Sequence, residues 1–314
     1  MEHEPIPVTV LTGFLGAGKT TLLDAWLRAY APGEVAVIVN ELGASGIDGE
    51  LLADRVRTLV EITGGCLCCT THAELVQALA ELAARRPSRI FVETSGAASP
   101  AGVLRAIFRG AAAERVRLDG IVTVVDATRI AVLRDHELAA EQVGFADVLV
   151  LSRADLGDDA ALELARDELA RWNGTAVVAT AARGVLEGGA TLDALLARRT
   201  GDLRIVPVTS THGGRPIESV SLVLAGEVDG DLFAEWVETE LARFEGRLLR
   251  MKGILAVQGL GQRMILQGVA DRAEIELGAE WGEQERTSRI VLVGFALDRD
   301  ALEAKFRACA AAPE

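Results

Sequence analysis

Apolar residues follow two different rhythms along this chain. Up to residue 200, short unbroken runs rich in Val and Ile recur at residues 8–12, 34–40, 59–62, 89–93, 120–126, 147–151 and 177–180. A run of this length without polar alternation suits a strand buried on both faces, as in a parallel sheet covered by helices. Segments of helical period lie between these runs. Residues 72–84 carry apolar side chains at positions 75, 76, 79, 80 and 83, a 3.6-residue repeat. Pro100 at a first helical position, with Ser99 as its N-cap, opens another helix, and residues 192–199 form a further one.

Beyond residue 216 the rhythm changes. Residues 217–224 alternate with period two and read as a half-buried strand. Residues 232–244 form an amphipathic helix with Trp236 on its apolar side. Strands are expected at 253–257, 264–269 and 289–295, and a last helix at 302–309. This order indicates a small α+β domain. His212-Gly213-Gly214-Arg215-Pro216 has linker composition. The division expected is an α/β domain at 1–200, a linker at 201–216 and an α+β domain at 217–314.

Composition narrows the classes. Of 314 residues, half are apolar, and Ala, Leu and Val rather than aromatics carry that weight, so a sizeable core is assured. The net charge of −14 argues against nucleic acid as a partner, since a basic face is missing. No run of 18 apolar residues and no charged-then-apolar leader are present, so the expectation is a cytoplasmic protein that does not enter membranes. Four cysteines, three of them within four residues, are no disulfide framework.

The chemistry begins where the first strand ends. Gly13-Phe14-Leu15-Gly16-Ala17-Gly18-Lys19-Thr20 is G-x-x-x-x-G-K-T between a β-branched run and a helical pattern, the context a phosphate-binding P-loop requires. Glycines 13, 16 and 18 let backbone N–H groups turn inward toward phosphate, and the helix N-terminus adds partial positive charge. Ala17 and Thr21 complete the cradle. Lys19 is assigned to the β/γ-phosphates and the Thr20 hydroxyl to Mg²⁺.

Three further strand ends face the same edge of an open sheet, where ligands bind in α/β folds. The loop from Glu41 to Asp48 leaves a strand expected beside the P-loop strand, which puts Glu41 and Asp48 within reach of Mg²⁺, an attacking water or a second metal. Gly65-Cys66-Leu67-Cys68-Cys69 precedes the helix that begins near His72. A helix N-terminus favours the thiolate, and three thiolates suit a soft tetrahedral ion such as Zn²⁺, with Co²⁺ and Fe²⁺ as alternatives. A fourth ligand must come from elsewhere: Glu41, His72, water or a partner. Buried packing and thiol oxidation are the competing uses of these cysteines. Glu93-Thr94-Ser95-Gly96 ends another strand, its carboxylate expected at Mg²⁺ and its glycine N–H at the γ-phosphate.

Ser152-Arg153-Ala154-Asp155 follows the strand at 147–151 in the position of an N-K-x-D guanine-reading loop. Asp155 keeps the carboxylate that accepts from the guanine N1–H and 2-amino group. Ser152 stands for Asn, and Arg153 for Lys, with its planar group available to stack on a purine. Asp126 is read as a structural or site-bordering strand end. Arg250, Lys252 and Trp281 are read as interface, surface or core residues, His136 and His212 as isolated polar residues, and Cys309 as packing.

Together these residues resemble the CobW-type metal-chaperone GTPases, relatives of the urease and hydrogenase nickel-insertion GTPases. The resemblance rests on Gly13 to Thr20, Asn40 to Gly43 with Gly46-Ile47-Asp48, the C-x-C-C, Glu93 to Gly96, and Ser152 to Asp155. It continues through residues 249–254 and 289–295. It implies a P-loop GTPase domain with a mostly parallel sheet plus a smaller C-terminal α+β domain. It also implies a divalent transition metal at Cys66, Cys68 and Cys69, slow GTP hydrolysis, and transfer of the metal to a client metalloprotein, with a homodimer as an option. Ala44 stands where the family often carries a second acid, and the linker lacks the histidine-rich tract of many members. The rival readings are a nucleotide-switched activator that docks on a metalloenzyme without delivering metal, and a small-molecule P-loop kinase, for which no substrate pocket or base is evident.

Overall fold

A computed structural model describes residues 4–41, 59–63, 70–133, 136–198, 208–210, 217–244, 246–270 and 272–311. The chain forms two compact units. The first comprises Met1–Leu133, Ala146–Arg166 and Ala176–Arg198; the second comprises Arg134–Phe145, Asp167–Thr175 and Arg199–Glu314.

In the first unit the unbroken apolar runs become strands: β1 (Ile6–Thr12), β2 (Val35–Glu41), β3 (Leu59–Thr63), β4 (Arg89–Glu93), β5 (Val116–Asp126), β6 (Val148–Ser152) and β7 (Val177–Ala182). With the two-residue β8 (Val185–Leu186) they make a sheet of order β3-β2-β4-β1-β5-β6-β7-β8. All neighbours are parallel except β7 and β8. Val8, Val10, Phe91, Val92, Ile121, Val122 and Leu149 have 0 % exposure, which is why no alternation marked these strands in the sequence.

Helices α1 (Lys19–Leu27), α2 (Thr70–Arg85), α3 (Ala101–Arg109) and the short α4 (Ile130–Leu133) serve this unit. Leu75, Leu79, Leu82 and Ala83 form the buried stripe of α2, close to the repeat expected. Helix α3 begins one residue later than expected, with Pro100 rather than Ser99 at its N-cap, and Ser99 Oγ accepts from the Ala101 N–H at 3.2 Å just ahead of it.

One expectation is corrected here. The strand ending in Glu41 does not lie beside the P-loop strand: β4 intervenes, pairing with β1 on one side and β2 on the other. The apolar runs specify burial but not strand order, and the order is set by which helices cover which face.

Helix α5 (Glu137–Phe145) is followed by α6 (Asp159–Trp172) and α7 (Leu192–Arg198). Helix α5 and the end of α6 belong to the second unit, because their side chains and backbone are held there. Lys252 Nζ donates to the Thr175 carbonyl at 3.1 Å, and Asn173 Nδ2 donates to the Val143 carbonyl at 2.8 Å. A Cβ on Gly144 would lie 2.6 Å from Leu249 Cδ1, so this helix approaches the second sheet closely.

That sheet runs β13-β12-β11-β14-β10-β9, from β9 (Val208–Ser210), β10 (Ile217–Ala225), β11 (Leu248–Ala256), β12 (Gln262–Val269), β13 (Arg272–Glu280) and β14 (Thr287–Phe295). Its pairings are antiparallel. Helices α8 (Gly230–Arg243) and α9 (Arg299–Arg307) pack on one face, with Phe233, Trp236 and Phe306 in mutual contact at 5.6–6.4 Å between ring centres. Asp229 caps α8 by accepting from the Asp231 and Leu232 N–H groups at 2.9 and 3.0 Å. Arg250 and Lys252 are buried on the β11 strand, so they are core residues. Trp281 is buried under the Arg263 guanidinium at 5.0 Å. Cys309 is buried as packing, and burial, then the Asp229 carboxylate, pushes its thiol pKa up.

Candidate functional site

The C-terminal ends of β1, β4, β5 and β6 converge on one loop. It begins at Gly13, whose φ of 139° lies in the region that favours glycine. A Cβ there would meet the Val124 carbonyl oxygen at 2.2 Å, so β5 leaves room for backbone alone. Gly16 and Gly18 also take positive φ, and α1 starts directly after Gly18. Its N–H groups therefore open onto the loop, an arrangement suited to phosphate. Lys19, 8 % exposed, extends back along the loop and donates to the Gly13 carbonyl at 2.9 Å and that of Phe14 at 3.4 Å.

Thr20 faces β4. Its hydroxyl donates to Glu93 Oε1 at 2.8 Å, and Glu93 is buried. The sequence assigned these two residues to one Mg²⁺ from motifs 73 positions apart. Two hard oxygen donors meeting beside a phosphate cradle fit that ion. The strand end is locked against the P-loop strand: Thr94 Oγ1 donates to Thr12 Oγ1 at 2.8 Å, and the Thr94 N–H donates to the Leu11 carbonyl at 2.9 Å. Two residues on, a Cβ at Gly96 would lie 2.6 Å from the Leu15 nitrogen. The glycine expected to sense phosphate therefore sits backbone-to-backbone against the P-loop.

On the other flank, Ser152 Oγ donates to the Ala17 carbonyl at 2.6 Å. Arg153 holds the left-handed φ of 57°, and its guanidinium contacts the Asp126 carboxylate and donates to the Gly16 carbonyl at 3.0 Å. Ser152 and Arg153, the two residues that depart from N-K-x-D, thus both grip the P-loop backbone. The Arg153 guanidinium is held by Asp126 and Gly16 and lines the cavity next to the P-loop.

Asp126 is the residue sequence reasoning left undecided. It is 3 % exposed, and it accepts from the Thr128 N–H at 3.0 Å and the Thr128 hydroxyl at 2.7 Å. Its other oxygen meets Arg153. Its position at a strand end, in register with Ser152, was the signal available.

A cavity of about 310 Å³ continues from the P-loop, lined among others by Thr21, Val124, Ser152, Arg153, Asp155 and Arg183. Asp155 lies at its rim with Arg183 Nε 3.4 Å away. Gly184 closes the wall, where a Cβ would lie 2.5 Å from the Thr21 carbonyl. Neither Arg183 nor Gly184 belongs to a motif that the sequence singles out. The cavity is of small-molecule size and carries one carboxylate at a strand-end loop, as a base-reading pocket needs.

The transition-metal residues stand differently. Cys66, Cys68, Cys69 and Asp48 lie outside the described residues, as does His212. Glu41 is the last residue of β2, in register with Thr63 at the end of β3. The cysteine run follows Thr63 and ends at Thr70, the first residue of α2. The backbone thus sets Glu41 beside the strand that leads into the cysteines. Among the described residues no group of three or more His, Cys, Asp and Glu side chains is arranged to hold a metal. Among them, too, no helix is long and apolar enough to cross a membrane.

Residues 7–180 match the family described as CobW/HypB/UreG, nucleotide-binding domain, and residues 217–310 match the Cobalamin synthesis protein cobW C-terminal domain. The zinc chaperone YjiA of Escherichia coli (strain K12) is 32% identical over 318 residues, covering 96% of this chain and 98% of that protein. The zinc chaperone CobW of Pseudomonas aeruginosa is 32% identical over 345 residues, covering 96% of this chain and 91% of that protein. The crystal structure of Zn(II)-bound YjiA GTPase from E. coli superposes with a TM-score of 0.72 at 27% identity, covering 98% of this chain and all of that one.

Proposed function

The chain belongs to the CobW/HypB/UreG family of P-loop GTPases, and on that footing we propose that it is a GTP-hydrolysing zinc chaperone whose cargo binds at Cys66, Cys68 and Cys69. The observation that carries this reading is the order of strand ends. Strand β4 brings Glu93 to Thr20 at 2.8 Å on one side, and on the other it pairs with β2, whose Glu41 sits in register with the strand leading into the cysteines. Strand β4 therefore lies between the strand of the nucleotide loop and β2, and β2 in turn pairs with β3, the strand that leads into the cysteines. The zinc chaperones among the relatives agree with zinc as cargo.

The residues divide the work. The P-loop N–H groups and Lys19 bind the phosphates of GTP, Asp155 reads the guanine edge, and Thr20 with Glu93 would hold Mg²⁺. That ion, when bound, neutralises charge developing on the phosphates. Gly96 presents its N–H toward the γ-phosphate, and Asp48 acts on the attacking water. Presence or loss of the γ-phosphate repositions the loop after Glu93, and β4 passes that change to β2 and Glu41, altering the hold on zinc and releasing it to a client metalloprotein. Coupling of this kind is reciprocal: GTP tightens zinc binding by the factor by which zinc tightens GTP binding.

The test is zinc affinity of the full chain with a non-hydrolysable GTP analogue and with GDP, repeated on a Cys66, Cys68, Cys69 triple alanine variant. A GTP-state affinity at least about tenfold different from the GDP state is expected, since smaller differential binding cannot drive a switch. Equal affinities refute the coupling. Nucleotide-dependent capture of a client that the triple variant retains would instead support an activator that delivers no metal.

A further inference from the structure

We infer that the edge strand β13 of the second sheet is a docking edge for an extended partner segment of alternating basic and apolar residues, joined by strand addition. Strand β13 ends the sheet, paired with β12 on one side only among the described residues. The pairing is regular from Arg272 to Leu277 and shifts register only near Gln262. An edge this long is a template for another chain unless Pro or charge blunts it; residues 272 to 280 contain no Pro, and apart from Arg272 their charges are carboxylates, which repel acidic segments and favour basic ones.

The two faces of the edge differ. Ile275 and Leu277 are 53 % and 60 % exposed, opposite Leu266 and Met264 of β12. Leu266 is wholly buried, so these two side chains continue the core face past the last strand. Glu274 and Glu276 occupy the other face, both exposed. Their cross-strand neighbours are Gln267 and Ile265, and Arg263, the one cation of β12, lies over Trp281 and donates to Gln284. An added strand would set every second side chain opposite Ile275 and Leu277, and the alternate ones opposite the two carboxylates. Apolar residues satisfy the first set, and Lys or Arg the second.

A second copy of this chain fits poorly. Antiparallel self-pairing centred on Glu274, Ile275 or Glu276 sets two of these carboxylates directly opposite each other, and like charges there are destabilising. Charge complementarity therefore selects a basic partner.

The test uses the full chain and three fluorescent octapeptides: alternating Lys and Val, alternating Glu and Val, and alternating Lys and Pro. Every Pro of the last is the D-isomer, whose φ of about +65° bars the extended strand that L-residues form, so it has the same charge as the first but cannot lie along the edge. Fluorescence anisotropy should show the Lys–Val peptide bound and the Lys–Pro peptide bound at least about tenfold more weakly. The double variant E274K/E276K should lose about tenfold in affinity for Lys–Val, as two exposed ion pairs allow, and should gain affinity for Glu–Val. Both positions are exposed, and an unchanged Tm would show that the variant folds. Equal binding of the two Lys peptides, or indifference to the charge reversal, overturns the proposal. So does self-association of the unmodified chain that Ile275→Asp abolishes, which would assign the edge to a second copy.

Discussion

Replacing Gly96 by Ala tests whether the loop after β4 and the P-loop move as one. The added methyl would stand 2.6 Å from the Leu15 nitrogen, 2.7 Å from its Cα and 2.9 Å from its Cδ2. That is roughly 0.8–1 Å inside ordinary van der Waals separation. The flexible Cδ2 can turn away, but the two backbone atoms belong to a loop fixed by Lys19 and by Ser152. The strain must therefore fall on the pairing of the two loops. Overpacking of this kind costs about 1–3 kcal/mol, equivalent to about 5- to 150-fold in an equilibrium constant. If the Gly96 N–H meets only the γ-phosphate, the loss should appear in GTP affinity and in turnover, with GDP affinity changed by no more than about twofold, well inside that strain range. Stopped-flow binding of fluorescent GTP and GDP, with single-turnover hydrolysis, measures each part. Gly261→Ala is the control, since nothing lies within 4 Å of its added carbon. Equal losses for GTP and GDP, or unchanged binding of both, would refute the assignment of Gly96 to the γ-phosphate.

Other consequences are direct. Asp126→Asn removes the ionic partner of Arg153, whose side chain is 45% exposed; discounted for solvent, the loss is about 1 kcal/mol, seen as a roughly fivefold weaker GTP affinity in titration calorimetry. Asp155→Asn puts an amide donor where guanine needs an acceptor; GTP affinity should fall by about a hundredfold or more, and XTP, with a carbonyl in place of the 2-amino group, should become the better ligand in competition binding. Burial raises the Cys309 thiol pKa in the folded chain. Its contribution to stability is complete below the unfolded thiol pKa and is lost as pH rises through the folded value. Urea midpoints should therefore fall at alkaline pH, and that part of the fall should be absent in Cys309→Ala.

The parts legible in the sequence were those with local causes. Gly13 to Thr20 declares its conformation because positive φ and close backbone approach leave little choice but glycine, and the Lys-Thr pair follows at fixed spacing. The unbroken Val and Ile runs declared buried strands for the same local reason, as did the helical repeat ahead of Ala83. Less legible were elements without a periodic signal. Strand β13 alternates only from Glu274 to Leu277 and leaves most of its residues exposed, too short a signal to mark a buried strand, and α5 and α6 carry much alanine, which fits a helix without marking which side packs. Lys252 and Arg250 stayed open between interface, surface and core, because their burial and the contact of Lys252 with the Thr175 carbonyl arise between segments distant in the chain.

Residue chemistry alone thus marked Gly13 to Thr20 as a phosphate loop, assigned the Glu93 carboxylate to one ion with Thr20, and found three cysteines within four positions at 66, 68 and 69. Tertiary structure decided the rest. It placed β4 between β1 and β2, so that only β2 separates the strand beside the phosphate loop from β3, the strand ahead of the cysteines. It turned Ser152 and Arg153 onto the carbonyls of Ala17 and Gly16, and gave Asp126 a partner 27 residues away. The reason is that strand order and side-chain pairing arise from packing between segments distant in the chain, and no local pattern carries that information.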